Sequence, residues 1–536
     1  MRRTFALAAT SLIALAAPAA AQVDKTQINR IIDEGTNQSE AMTTAQYLTD
    51  FIGSRLTNSP GMRKAEAWTQ DKFRQWGLTN VHKEGFDFGR GWWIESASVR
   101  MIAPRPIQLT AIPIAWTPPT NGTVSAPVIV APITAERHFD AWRGKLAGKI
   151  VLISRPTDGS EPGKAPFQRL NGEDFAKLDQ FRQPSYDPEA ADRRMKRLDF
   201  AKKLDAFLKA EGAVAYATES YRDGKLLHGE GYLFTREDTP AVPGVQIAAE
   251  DYRRLARIAK VGPAPVVEIN SNVHFDDSDV QAYNVFADIA GSDPKAGYVM
   301  AGAHLDSWVA GDGAVDNGAG SVMIMEAARI LAKMGVKPKR TIRFALWAGE
   351  EQGLLGSLAY VEKHLATRGN GADTTTGLAR FMGWSGRWPI RPLPGYGDLA
   401  GYFNIDNGSG KLRGIYAENN PAVVPIFKEW LAPLASMGAT QVVIGKTGGT
   451  DHVFMQAVGI PGYQFIQDPL DYGSRLHHSS IDTFDHMKAD DIRQGAIVLA
   501  TVLLNAANAD KPLPRAVPAQ PKVTDPFNYP DPDEER

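Results

Sequence analysis

Imidazole and carboxylate side chains follow the apolar runs in the second half of this sequence. His304-Leu305-Asp306 follows the run 298–303, and Glu350-Glu351 follows 340–347 after Ala348-Gly349. Asp406 follows 399–405, Asp316 opens the helical stretch beyond Gly311-Asp312-Gly313, and His477-His478 lies in a loop after 462–466. Taken singly each is ordinary: Glu350-Glu351 suits the first turn of a helix, and Asp316-Asn317-Gly318 suits a turn or cap. Their succession at strand ends points to a metal centre. The chain has no cysteine, so any such site is built from His, Asp and Glu. Two divalent ions roughly 3.5–4 Å apart repel each other unless a carboxylate and shared solvent lie between them. Asp316 can be that bridge, with His304 and Asp406 completing one ion and Glu351 and His478 the other. Solvent held there has its pKa lowered from about 15.7 to about 7. Glu350 stands beside a ligand but should point differently, which suits a general base. Asp306, two residues after His304, can accept the other imidazole N–H and fix its tautomer.

Such residues need a scaffold that brings strand ends together. From 268 onward strands alternate with helices, the pattern of an α/β fold with a doubly wound, mostly parallel sheet, whose ligands bind beyond the carboxyl ends of the strands. Between 118 and 265 the texture changes to short buried strands at 126–130, 148–153, 213–217 and 242–247. This stretch holds His138 and His228 but no cluster with ligand spacing, and it reads as an inserted non-catalytic domain. The chemistry then belongs to a discontinuous domain of residues 22–117 and 266–510. At 536 residues the chain is too long for a single core.

The ends read differently. Arg2 and Arg3, an apolar run at 5–17 and Ala19-Ala20-Ala21 make residues 1–21 a signal peptide, so export to the periplasm or the extracellular space is expected without a membrane anchor. Residues 511–536 are rich in Pro and Asp and read as a disordered tail. A formal net charge of -2 gives no basic footprint for nucleic acid. Gly445-Lys446-Thr447 imitates the end of a phosphate loop, but Thr440 stands where the first glycine is required.

The motifs together resemble a known family. His304-Leu305-Asp306-Ser307-Trp308, the stretch from Gly313 to Gly318, the stretch from Ala348 to Ser357 and the stretch from His477 to Thr483 look like metallopeptidase family 28. The doubled histidine and the His304–Trp308 motif look most like its carboxypeptidase Q branch, and the insertion resembles a protease-associated domain. The resemblance implies the zinc exopeptidase fold, two Zn2+ ions and a peptide substrate. It carries metal-ligand roles to His304, Asp316, Glu351, Asp406 and His478, the base role to Glu350 and the supporting role to Asp306. It also implies that His477 hydrogen-bonds the oxyanion. Asn317 departs from the family, many of whose members have a second Asp there. The expected function is hydrolysis of dipeptides or of the terminal residues of short peptides. A non-catalytic receptor-like homologue, a glutaminyl cyclase-like acyltransferase and a homodimeric assembly stay open. Trp308, Trp347 and Tyr472 are candidate pocket walls, and Arg475 or Lys446 a candidate partner for a substrate carboxylate.

Overall fold

The computed structural model describes residues 25–160, 163–182, 190–369 and 377–516, with 518 and 520. The expected signal peptide lies outside the described residues. The main sheet is built from β1 (Thr79–Asp87), β2 (Gln281–Ile289), β3 (Tyr298–His304), β4 (Thr341–Trp347), β5 (Leu399–Asn404), β6 (Leu412–Tyr416), β7 (Gln441–Val443) and β8 (Gly462–Gln467). Their order is β1-β2-β4-β3-β5-β8-β6-β7. The central strands β4, β3, β5 and β8 run parallel, while β1, β2 and β6 pair antiparallel to a neighbour.

The sequence explains why the centre is buried on both faces. Successive strand residues point to opposite sides, and both sides here are apolar. Val299, Ala301 and Ala303 pack into the larger cluster with the helices Ala319–Lys333 and Ala489–Asn508, whereas Met300, Ala345 and Trp347 pack into a second cluster with Leu358 and Phe454. The helix Ala319–Lys333 is buried without a break from Ala319 to Leu331, as expected of a helix held between a sheet and a second helix. Gly302 has to be glycine, since a side chain there would collide with Trp347 and Tyr402, which hydrogen-bond each other at 2.7 Å.

A second sheet takes strands from beyond the boundaries expected at 118 and 265. Its order is Ile107–Gln108, Gly91–Ala103, Val266–Asp276, Val124–Val130, Ile150–Leu152, Ala215–Glu219, Gly244–Ile247 and Ala111–Pro113. The long antiparallel pair Gly91–Ala103 with Val266–Asp276 forms its stem, so residues assigned to the catalytic domain on sequence belong to this sheet instead. The tail also differs at its start. Leu513 is buried and its N–H donates to Ala400 O at 3.1 Å, while Asn420 donates to Pro514 O at 2.9 Å. One apolar side chain and these hydrogen bonds dock residues that composition alone assigns to a disordered tail; most of the rest of 511–536 lies outside the described residues. Among the described residues no helix is long and apolar enough to cross a membrane.

Candidate metal centre

His304 is the last residue of β3 and is 1% exposed. Ser321 fixes its main chain by donating to His304 O at 2.7 Å. Nδ1 lies 3.0 Å from the main-chain carbonyl of Asp306, which accepts the Nδ1–H and leaves the Nε2 lone pair free. Nε2 then faces Asp316 Oδ1 at 3.4 Å, Asp406 Oδ1 at 3.5 Å and Glu350 Oε2 at 3.9 Å. The tautomer is therefore fixed by the backbone of Asp306. Its carboxylate is 3.6 Å from Nδ1 and serves elsewhere, accepting from Thr57 Oγ1 at 3.0 Å and from the N–H groups of Glu350 at 3.3 Å and Glu351 at 3.2 Å. Amide donors in the neighbouring loop satisfy it better than the imidazole does, so Asp306 anchors the loop that carries both glutamates.

Asp316 sits in the turn Ala314–Gly318, which opens the helix Ala319–Lys333, and the Asp316–Asn317 peptide is cis. Gly313 before it is left-handed at φ +59°, and a side chain there would strike Ser307 and Arg55. Asp316 Oδ2 is 3.4 Å from His478 Nε2, so its carboxylate spans the two imidazoles. Asn317 does not face the cavity. It donates to Ile405 O at 2.8 Å and accepts from Gly320 N, tying the turn to the end of β5 beside Asp406.

Glu351 Oε2 lies 3.0 Å from His478 Nε2. The His477 ring stacks on His478 at 3.7 Å, with Nε2 3.9 Å from Asp316 Oδ2 and about a third of the side chain exposed. The structure thus brings the predicted metal-site residues together: the ligand atoms of His304, Asp316 and Asp406 form one group and those of Asp316, His477 and His478 a second, with Glu351 against His478 and Glu350 facing His304. His304 Nε2, Asp316 Oδ2 and Glu351 Oε1 are buried without a hydrogen-bond partner. Buried polar atoms are seldom left so. Nitrogen and carboxylate-oxygen donors with unused lone pairs directed at common points fit zinc.

The electrostatics agree. Burial, with Asp406, Asp451 and Glu351 adding to it against His304, pushes Glu350 well above the usual carboxylate range. Burial, opposed by His478 and reinforced by Asp316, pushes Glu351 up to about 7. Burial works against His304 and His478, yet Asp406 and Glu350 for the one and Glu351 and Glu230 for the other raise both well above a free imidazole. Crowded buried carboxylates that hold protons at this cost mark a place built for positive charge.

Four further residues support the site, and of these Asp482, Arg55 and Glu230 carried no assigned role on sequence. Asp482 accepts from Val315 N at 2.6 Å and Asp316 N at 3.0 Å. It lies in the His477–Thr483 motif, which was the available signal. Arg55, fully buried, donates to the carbonyls of Leu305, Gly53, Asp312 and Gly313. Asp451 is buried near Glu350 and gives the helix His452–Ala457 no side-chain cap. Glu230 comes from the inserted segment and meets His478 Nδ1 at 2.8 Å.

The centre opens into a cavity of about 710 Å³. Tyr472, Leu354, Phe381 and Met382 line it from the main-sheet side, and Tyr232, Phe200 and Leu204 from the insertion. Tyr472 is a wall as expected. Trp347 is instead a core residue on Tyr402, and Trp308 lies buried beneath Tyr232. Arg475 is paired with Asp471 at 2.9 Å and Lys446 is exposed; neither lines the cavity, whereas Arg197 of the helix Ala190–Ala210 does.

Comparison with known proteins places this arrangement. Peptidase family M28 matches residues 284–503. Carboxypeptidase Q of Rattus norvegicus is 26% identical over 487 residues, covering 90% of this chain and 88% of that protein. Carboxypeptidase Q of Bos taurus is 28% identical over 489 residues, with the same coverage. Among solved structures, a peptidase M28 precursor from Shewanella amazonensis SB2B shares the fold at TM-score 0.63 and 22% identity, covering 92% of this chain and 98% of that one. A zinc aminopeptidase from Bacillus subtilis does so at TM-score 0.55 and 18% identity, covering 89% and 98%. With its mostly parallel sheet and its cluster of His, Asp and Glu at the strand ends, the chain shares the fold of these peptidases, and its residues 284–503 match peptidase family M28.

Proposed function

We propose that the chain is a dizinc exopeptidase that hydrolyses dipeptides or the terminal residue of short peptides. His304 and Asp406 would hold one ion, Glu351 and His478 the other, and Asp316 both. The observation that carries this reading is the Asp316 carboxylate, one oxygen 3.4 Å from His304 and the other 3.4 Å from His478. Bound zinc supplies Lewis-acid polarisation of the scissile carbonyl and makes water acidic enough to ionise near neutral pH.

The remaining work falls to side chains. Glu350 lies at the mouth of the donor cluster and lines the cavity, where it can take the proton of the attacking water and hand it to the leaving amine. Its burial among other carboxylates suits a group that must hold a proton between those events. His477, at the rim and kept below the usual imidazole range chiefly by burial, can donate Nε2–H to the carbonyl oxygen as it gains charge. Asp306 holds the loop so that Glu350 and Glu351 diverge.

Retention of every donor type weighs against a receptor-like protein without activity. Metal analysis and product analysis test the proposal together. Two zincs per chain and chelator-sensitive release of amino acids are expected. One zinc per chain, with ring closure and ammonia release from N-terminal glutamine, would overturn it in favour of acyl transfer.

A further inference from the structure

The two imidazoles of the metal centre are supported differently. His304 gives its Nδ1–H to a neutral main-chain carbonyl on its own strand end. His478 presents Nδ1 to a carboxylate, Glu230 Oε1, at 2.8 Å. That carboxylate is 248 positions away in the chain and belongs to the loop between Ala215–Glu219 and Gly244–Ile247 of the second sheet.

The loop is held tightly. Gln246 Oε1 accepts from His228 N at 2.6 Å and Gly229 N at 3.3 Å, and Ala115 N donates to Gly229 O at 2.9 Å. Gly231 packs so closely on the Ala115 carbonyl that a side chain would collide with it. The same loop grips the turn that carries the doubled histidine. Ser480 N donates to Leu227 O at 2.8 Å, Leu227 N to Ser480 Oγ at 3.2 Å, and Arg222 to His477 O at 3.2 Å. Tyr221 OH adds a longer contact to Glu230 Oε1 at 3.4 Å.

We propose that Glu230 is the positioning residue of His478. By accepting the Nδ1–H it turns Nε2 toward Glu351 and Asp316 and makes the imidazole a stronger donor, so the second sheet governs the affinity of one metal position and not the other. A carboxylate behind a metal-binding imidazole fixes ring orientation and basicity, and its loss typically costs about 10–100-fold in metal affinity. The inserted domain would on this account complete the metal centre, which the matched family region 284–503 does not do by itself.

The inference rests on the dizinc reading, and one titration separates the two. Zinc is titrated into full-length metal-free protein against a fluorescent chelator, for wild type, Glu230→Ala and Glu230→Gln, with a thermal melt of each. Wild type should take two zincs. In Glu230→Ala one of the two affinities should fall about 10–100-fold while the other stays put. Glu230→Gln, whose amide oxygen can still accept the N–H but without charge, should fall between. Two unchanged affinities in a folded Glu230→Ala or Glu230→Gln protein would overturn the role of Glu230, and so would an equal loss at both positions. Should Glu230→Ala fail to fold, Glu230→Gln decides. A wild-type protein that binds fewer than two zincs would remove the dizinc reading instead.

Discussion

Asp482 holds Asp316 through the backbone: its two carboxylate oxygens accept the consecutive N–H groups of Val315 and Asp316 at 2.6 and 3.0 Å. The side chain that spans the two imidazoles is thus aimed by a carboxylate that touches neither. Asp482→Ala leaves two buried amides without an acceptor, which costs about 1–3 kcal/mol for each unsatisfied group. The expected outcome is a lower zinc affinity at both positions, since Asp316 would serve both. Zinc titration checks this, and a variant that loses stability but keeps both affinities would show that Asp482 supports only the fold.

Glu350→Ala isolates the proton-transfer step. The side chain accepts no hydrogen bond needed by the loop, whose N–H groups go to Asp306. The variant should therefore bind two zincs as wild type does and lose about 10²–10⁴-fold in kcat, the usual range for a positioned acid–base group. Full turnover in a zinc-loaded Glu350→Ala protein would assign the base elsewhere.

Arg55 tests how the turn is built. Its guanidinium is fully buried, spends its donors on main-chain carbonyls of the loop after β3 and of Gly53, and is pushed down to about 10 by burial, against Asp482, Asp306 and Asp312. Arg55→Ala leaves those carbonyls without donors inside the protein. Unfolding of the metal-free variant in urea should show a loss of about 3 kcal/mol or more. A change below about 0.5 kcal/mol would mean that water replaces the guanidinium.

His228 should make the insertion acid-sensitive. It is buried, stacked on Tyr221 at 3.8 Å, and burial lowers it from 6.5 to about 4. A histidine kept neutral in the folded chain binds its proton first in the unfolded one. Stability from this group is thus complete above about pH 6.5 and drains away as the pH falls toward 4, by about 1.4 kcal/mol per pH unit. Urea midpoints of wild type and His228→Gln should converge as the pH drops across that window. Parallel midpoints would show that His228 titrates normally.

The distance between partners along the chain decided what could be read in advance. His304, Asp406 and the Glu350-Glu351 pair each follow a strand, and parallel strands in one sheet bring their carboxyl ends together by construction. Glu230 follows no such rule: its partner is a histidine in a loop 248 positions away, and a lone glutamate in a loop has no period or spacing to mark it. The stem pairing Gly91–Ala103 with Val266–Asp276 was hidden for the same reason, since a change of texture marks where short strands begin and not which long strands carry them. Leu513 shows the converse error, in which composition over a whole segment outweighed the one side chain able to dock. Asp306 was placed correctly beside His304 and given the wrong acceptor atom, because spacing cannot tell a side-chain acceptor from the carbonyl of the same residue.

Substrate orientation is open to a direct test at Arg197. Among the described residues lining the cavity it is the one Arg or Lys, and it projects from the inserted helix Ala190–Ala210 on the wall opposite the main sheet. The carboxylates that line the cavity are all engaged. Asp205 accepts from Ala241 N and Val242 N, Glu230 faces His478, and the others belong to the metal centre. A substrate ammonium would therefore find no free counter-charge there, while a substrate carboxylate would find the guanidinium. Arg197→Ala should raise KM about tenfold for dipeptides with a free carboxylate, worth about 1.4 kcal/mol, with kcat unchanged. It should leave the matching C-terminal amides unaffected. Equal effects on both substrate series, or a change in kcat alone, would place the carboxylate away from Arg197.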